Sequence, residues 1–499
     1  VKPRTPDRLA LLLSILVAIG SAIVSATVYE GIPHLEDEFA NLWQASVMAQ
    51  GEISIPSPEL PRSFLVPFVV DHAGQRFGKY PPGWPAALSL GVRVGVPWLV
   101  NALLTGLTIW LVYRLGSKVA GRGVGLFAAV LAGSSPMMLM LSGSLMSHML
   151  SLFLAMVFTL AWLDLFLYRA GTSAPRWILV ATAGLSLGLL ILTRPLTALG
   201  VTLPFAIHGT TLLARGPRAT RWCVLATGGL TLGVGALLLV WQAALTGDPF
   251  QNPYALWWDY DRLGFGPGVG VTENGHSLHL AWINTRFSLR AGQHDLFGWP
   301  FLSWIFVPFG LIALRRNRGA WLLFSITPSL IGVYIFYWIG SWLYGPRYYF
   351  EALPGLAIVS AVGVAWIGGW LSESRRLAQL RRLATCALIV TLLGMNVLFY
   401  LPARVGGMRG LYGISKEPIV ALQDQALEGA LILAHAESWH RYATLCLLTP
   451  PYSSRDLLVA WSYNPIRDAM VREAYAERTI YHYYPNEPDK LFLEARALP

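Results

Sequence analysis

Runs of about 20 apolar residues, separated by short polar links, recur along most of this chain. A helix of roughly that length crosses the hydrocarbon core of a bilayer with all its backbone hydrogen bonds made internally. The pattern therefore restricts the chain to a bundle of membrane-crossing helices. The runs fall at 9–28, 98–115, 122–140, 145–168, 177–192, 195–213, 222–245, 298–314, 319–338, 350–370 and 383–401. A further stretch at 83–96 is short and rich in Gly and Pro, and reads as lying along the interface. The expected fold class is an all-α polytopic membrane protein with about 11–13 transmembrane helices, eleven by this reading. Composition agrees. Charged residues make up 13% of the chain, against about 25% in a soluble domain. With 20 Trp and 21 Phe among 499 residues, too little polar surface remains to coat a water-soluble protein. Disorder, collagen and coiled coil are excluded on the same grounds.

The net charge of +10 would suggest a nucleic-acid partner in a soluble protein. Here its distribution points to the membrane, and no nucleic acid is expected. If the N-terminus is cytoplasmic, one set of short links carries Lys2, Arg4, Arg8, Arg114, Lys118, Arg122, Arg169, Arg176, Arg215, Arg218 and Arg221. Further along, the same side holds Arg315, Arg316, Arg318, Arg375, Arg376, Arg381 and Arg382. The opposite side holds most of the acids, including Glu36, Asp37, Glu38, Asp248, Asp259, Asp261 and Asp295. That is the positive-inside pattern of a multi-pass protein of the plasma (inner) membrane. Treating 83–96 as a crossing would invert every later link. The first apolar run lacks a convincing small-residue cleavage site and reads as a membrane anchor. Residues 1–401 are thus expected as a transmembrane module with two large outer segments, 29–97 and 246–297. Residues 402–499 are expected as a small extracytoplasmic α/β domain, with strands at Ala430–Ala434 and Leu457–Trp461, a helix at Pro465–Tyr475 and a β-prone stretch at Thr479–Tyr484. Three cysteines without CxxC spacing encode neither a zinc site nor a disulfide framework.

Chemistry-bearing residues gather at the outer ends of the runs. Three consecutive carboxylates, Glu36-Asp37-Glu38, follow the first run. At an apolar boundary a carboxylate is costly unless paired or working, and an ionised one can take a proton from a hydroxyl. The same acids would also suit a solvated helix N-terminus. Lys79-Tyr80-Pro81-Pro82 reads either as an anion contact on a stiffened segment or as an interfacial anchor. His148 follows Ser135-Pro136 and Ser142-Gly143-Ser144, with no second His at i+4 to make a metal pair. Thr193-Arg194-Pro195 and Gly345-Pro346-Arg347-Tyr348 each hold an Arg in a tight outer turn. A guanidinium reads phosphate through forked donors, and it also anchors at interfaces. The second outer segment carries Trp257-Trp258-Asp259-Tyr260-Asp261, a composition suited to sugar stacking or to the membrane surface. The runs themselves hold almost no Asp, Glu or Lys, which favours surface chemistry on a membrane-borne substrate over coupled transport.

The order of these motifs resembles the GT-C superfamily of polytopic glycosyltransferases. It is most similar to the protein O-mannosyltransferase and lipid A aminoarabinose transferase branch (glycosyltransferase family 39-like). The likeness is clearest over 29–200, with an anchor near 344–355. It implies a GT-C fold and an inverting transfer of sugar from a polyprenyl-phosphate donor to an acceptor hydroxyl at the outer face. By the same resemblance Asp37, with Glu38 beside it, is the catalytic carboxylate, and Lys79 meets the donor phosphate. Arg194 and Arg347 are the other expected phosphate contacts. Glu36, Tyr80, His148 and Tyr348 are expected substrate or metal contacts. His148 stands where many relatives have Asp, and Phe39-Ala40 replaces the Arg-Tyr pair of the aminoarabinose enzymes. A requirement for a divalent cation (Mg or Mn) stays open, with Asp37, Glu38 and His148 as candidate ligands. So does the acceptor, whether lipid, glycan or protein. The alternative functions are a transporter or flippase, and a polymerase or ligase, of lipid-linked saccharides.

Overall fold

The computed structural model describes residues 5–168, 175–371, 375–422, 425 and 427–496, with only the backbone described at 375–378. Lys2, Arg4 and Arg169 of the basic links lie outside the described residues. The chain opens with helix α1 (Thr5–Thr27), then α2 (Glu36–Ala49), a small antiparallel sheet and α3 (Gly83–Arg93). In that sheet the central strand β3 (Gln75–Gly78) pairs with β1 (Ile55–Pro56) on one side and β2 (Val69–His72) on the other. Helices α4 (Leu99–Ala120), α5 (Arg122–Gly133), α6 (Pro136–Gly143), α7 (His148–Phe166), α8 (Arg176–Thr193) and α9 (Pro195–Arg215) follow. Next come α10 (Arg218–Gly235), α11 (Leu237–Thr246), α12 (Pro253–Trp257), α13 (Leu278–Asp295), α14 (Val307–Ala313) and α15 (Arg318–Tyr334). The bundle closes with α16 (Leu353–Ile367), α17 (Arg375–Met395) and α18 (Leu401–Gly406).

Among the described residues eight helices are long and apolar enough to cross a membrane, and a ninth crossing results if α5 and α6 count as one. That pair bends by 59°. Pro136 cannot donate into the preceding turn, and Ser135 caps the new helix by accepting from Met138 N. The protein is thus a multi-pass membrane protein, as its apolar runs predict.

Two expected crossings take another form. The run at 298–314 contains only the seven residues of α14, about 10 Å of helix. Its chain nonetheless travels the length of α5. Gly298 packs on Asn396, which donates to Ser134 O at one end of α5, and Asn317 donates to Val119 O just before the other end. The path packs against α16, where Gly310 of α14 approaches the Val359 carbonyl so closely that a Cβ would sit 1.9 Å from its oxygen. The run at 319–338 forms the 17-residue α15, and its last four residues leave the helix, with Tyr337 and Trp338 lining the cavity described below. The stretch at 83–96 is α3, 11 residues long, and does not cross.

After α18 the chain forms α19 (Glu417–Leu422) and a sheet of strand order β5-β4-β6-β7. Strand β4 (Ala430–Ala434) runs parallel to β5 (Leu457–Trp461) and β6 (Thr479–Tyr483), and β7 (Leu491–Phe492) is antiparallel to β6. Helix α20 (Pro465–Ala474) connects β5 to β6. This unit rests on α2. Tyr452 donates to Phe39 O, and Trp439 meets Phe39 edge-on at 5.4 Å between ring centroids.

Candidate active site

The first turn of α2 consists of the three carboxylates, where the positive end of the helix dipole favours them. Successive helical residues are turned by about 100°, so the three side chains fan apart. Asp37 faces a cavity of 460 Å³ at one end of the bundle. Glu36 lines its rim and also lines a second chamber beside it. Glu38 turns away into the core and is fully buried. There it accepts from Leu145 N at 3.2 Å and from Tyr344 OH at 3.0 Å. The expectation that Glu38 stands beside Asp37 in a catalytic pair is thereby corrected, since the helical rotation from Asp37 to Glu38 carries the Glu38 side chain into the core, onto Leu145 N and Tyr344 OH. Burial raises the Glu38 pKa to about 7, against the opposing effect of its hydrogen bonds.

Asp37 accepts a hydrogen bond from Tyr80 OH at 2.5 Å on one oxygen. Its other oxygen lies 3.9 Å from Arg347 Nη2. The Arg347 Nη1 atom is buried at the cavity wall with no hydrogen-bond partner among the described residues. Arg194 comes from the turn between α8 and α9. It donates to Thr197 Oγ1 and Tyr334 OH, and its Nη1 lies 2.6 Å from His148 Nε2. Tyr348 stacks on Tyr334 at 4.7 Å between ring centroids. The cavity therefore brings together Glu36, Asp37, Lys79, Tyr80, His148, Arg194, Arg347 and Tyr348, drawn from five separated stretches of sequence. Gly83 makes one of these approaches possible. A Cβ there would lie 2.5 Å from Thr193 Oγ1 and 2.8 Å from Leu192 O, so the Lys-Tyr-Pro-Pro segment reaches the Arg194 turn only because residue 83 has no side chain.

Lys79 has a partner that the sequence reading did not assign. Its Nζ lies 3.2 Å from Asp261 Oδ2, and both side chains are almost fully buried. Asp261 also accepts from Trp338 Nε1 and Tyr337 OH. The ammonium sits 3.7 Å from the centroid of Phe68 and 4.9 Å from those of Tyr254 and Trp258. Burial pushes the Lys79 pKa down, while Asp261 pulls it back up. Lys79 thus joins the two outer segments across the cavity wall and is largely neutralised as an anion site. Asn41 is a second unassigned residue. It lies one helical turn beyond Asp37, lines the same cavity, and its Oδ1 is buried without a partner among the described residues. Its i+4 spacing from Asp37 was the available signal.

The side chains named for a divalent cation do not form a ligand set. Glu38 faces the core, and His148 Nε2 is taken by Arg194. Among the described residues no group of three or more His, Cys, Asp and Glu is disposed to hold an ion.

Neither protein-family models nor curated proteins match this chain. Solved structures do. ArnT from Cupriavidus metallidurans bound to undecaprenyl phosphate superposes with a TM-score of 0.57 at 14% identity, covering 93% of this chain and 88% of that one. The archaeal oligosaccharyltransferase AglB from Archaeoglobus fulgidus, in complex with an inhibitory peptide and a dolichol-phosphate, superposes with a TM-score of 0.55 at 12% identity, covering 92% of this chain. The chain spans 64% of that oligosaccharyltransferase's length. Identity this low speaks to architecture alone, and the architecture is shared along nearly the whole chain: this protein has the GT-C fold.

Proposed function

We propose that the chain is a glycosyltransferase that moves a sugar from a polyprenyl-phosphate donor to an acceptor hydroxyl at the extracytoplasmic face of the inner membrane. The observation that carries this reading is Asp37 lying 3.9 Å from Arg347 in a cavity that also holds Arg194, at one end of a membrane bundle. The lipid phosphates bound in the two structural neighbours support it, since their fold is the one found here.

In this mechanism the donor phosphate sits against Arg347, whose Nη1 has a donor to spare, and near Arg194. The acceptor oxygen attacks the anomeric carbon while Asp37 takes its proton. The bond from that carbon to the phosphate oxygen breaks, and its electron pair leaves with the polyprenyl phosphate. The phosphate gains negative charge in this step, so fixed guanidinium groups lower the barrier. Tyr80 orients the Asp37 carboxylate through its hydroxyl. With Glu38 in the core, Asp37 works without a carboxylate partner from the next helical position. A single displacement of this kind inverts the anomeric configuration.

The test is incubation of the purified protein in lipid nanodiscs with polyprenyl-phosphate hexoses and pentoses, monitoring released polyprenyl phosphate. Asp37→Asn is expected to lower release by about 10²- to 10⁴-fold, the usual worth of a general base, while leaving lipid-phosphate binding unchanged. Near-normal turnover by that variant removes Asp37 from the mechanism. Movement of the donor across the bilayer with its sugar–phosphate bond intact would identify a flippase instead.

A further inference from the structure

Beside the donor cavity lies a larger chamber of 980 Å³, and Glu36, Phe68 and Trp258 line both. The two differ in what builds them. The donor cavity takes His148, Arg194, Tyr334 and Arg347 from the ends of the bundle helices. The chamber takes its walls from the first outer segment, from Leu256–Trp258 of the second, and from Trp439, Arg467 and Met470 of the C-terminal unit. None of its lining residues belongs to a membrane-crossing helix. Its occupant is therefore a group on the water side, not an acyl or polyprenyl chain.

The chemistry of the lining narrows that group. Indole rings of Trp257, Trp258 and Trp439 supply flat apolar faces, and Glu36, Arg62 and Arg467 supply acceptors and donors between them. A lining that holds both flat aromatic faces and charged hydrogen-bonding groups matches a pyranose, which offers an apolar C–H face and a rim of hydroxyls. Trp439 is fixed for that role by its edge-on contact with Phe39, two residues from Asp37. The neighbouring His440 places its Nε2 3.5 Å from Glu36 Oε1. Glu36, which borders both spaces, is thus the polar side chain between the chamber and Asp37.

We propose that the chamber is the acceptor subsite and that the acceptor is a saccharide, stacked on Trp439 with one hydroxyl passing Glu36 to reach Asp37. The proposal rests on the glycosyltransferase reading and names its acceptor class. The test supplies the full-length protein in nanodiscs with polyprenyl-phosphate sugars and, in parallel, water, a Ser/Thr-containing peptide, or methyl pyranosides of gluco, galacto and manno configuration. Disaccharide formation on at least one pyranoside is expected. Trp439→Ala should raise the KM for that pyranoside about tenfold, with donor hydrolysis by water unchanged as the measure of an intact donor site. Trp439→Phe, which keeps a stacking face, should stay close to the unsubstituted protein. Donor turnover with water or peptide but with no pyranoside overturns the saccharide assignment. Equal KM values in the Ala and Phe variants overturn the stacking role. A donor that stays intact under every condition overturns the glycosyltransferase reading itself, and the acceptor proposal with it.

Discussion

At the scale of single residues, the three carboxylates of α2 divide into three roles because a helix turns about 100° per residue. Their place at the outer end of the first apolar run was legible in the sequence. Their division was legible only in part. Helical phase says that adjacent acids diverge, but which one faces the core depends on where Tyr344 and Leu145 arrive, more than 100 residues away. Glu38 carries a pH signature. Its folded pKa, raised from 4.5 to about 7, means the native state binds the extra proton between those values. Its contribution to stability is therefore fully present below about pH 4.5 and is lost as pH rises through about 7. Glu38→Gln removes the charge, while its amide oxygen can accept from Leu145 N and its NH2 can donate to the Tyr344 hydroxyl oxygen. It should flatten the fall in Tm over that window and raise Tm at pH 8, measured by thermal unfolding in detergent. Arg347 makes a second prediction at this scale. Arg347→Ala removes the unpartnered donor and should lower kcat/KM for the lipid-phosphate donor about 10- to 100-fold, with weaker binding of free polyprenyl phosphate. Arg347→Lys should recover only part of this, since an ammonium lacks the fork. Loss of binding here and its retention in Asp37→Asn separate the two roles by isothermal titration.

At the scale of elements, periodicity revealed the long helices and missed whatever long-range packing decides. The run at 298–314 has the composition of a span, yet its first half is held irregular by side-chain bonds, such as Ser303 Oγ accepting from Phe297 N. No local pattern announces that. The same blindness hid Asp261, whose partner Lys79 lies 182 residues earlier. Their buried ion pair fastens the second outer segment to the first. Removing one member of such a pair strands the other charge, at a cost of about 3–5 kcal/mol, whereas replacing both with neutral groups is far milder. Asp261→Asn alone should therefore loosen the 246–297 segment and speed its cleavage by limited proteolysis. The double variant Lys79→Met with Asp261→Asn should restore much of the protection. Equal cleavage of the single and double variants would mean that the pair does not hold the segment. Because Arg347 and Arg194 remain in place, the double variant should also keep measurable donor binding. That result would distinguish a fastening lysine from a phosphate-binding one.

At the scale of the molecule, the two ends of the bundle are chemically opposite, and this predicts the orientation. One end gathers Asp37, Asp261 and the cavity. The other gathers Lys118 paired with Asp164, Arg122 near Asp7, and Arg381 donating to the Ile367 and Trp366 carbonyls. Of the basic links, the described Lys118, Arg122 and Arg381 thus share one face of the bundle. Only the packing reveals that the irregular 298–317 path keeps Arg315, Arg316 and Arg318 on that face. Had that segment turned back, α15 and everything after it would be inverted, and Arg347 could not meet Asp37. The Asp37–Arg347 approach and the positive-inside rule therefore predict the same topology. Cysteine labelling tests it. Cys446 and Cys223 are buried and Cys386 is exposed, so Cys386→Ser supplies the background. On that background, Asp259→Cys should react with a membrane-impermeant maleimide in intact expressing cells. Arg316→Cys should react only after the membrane is opened. Labelling of both positions from the same side would break the link between charge, path and site. Labelling with the sides reversed would put the cavity on the cytoplasmic face, where the proposed extracytoplasmic transfer could not occur.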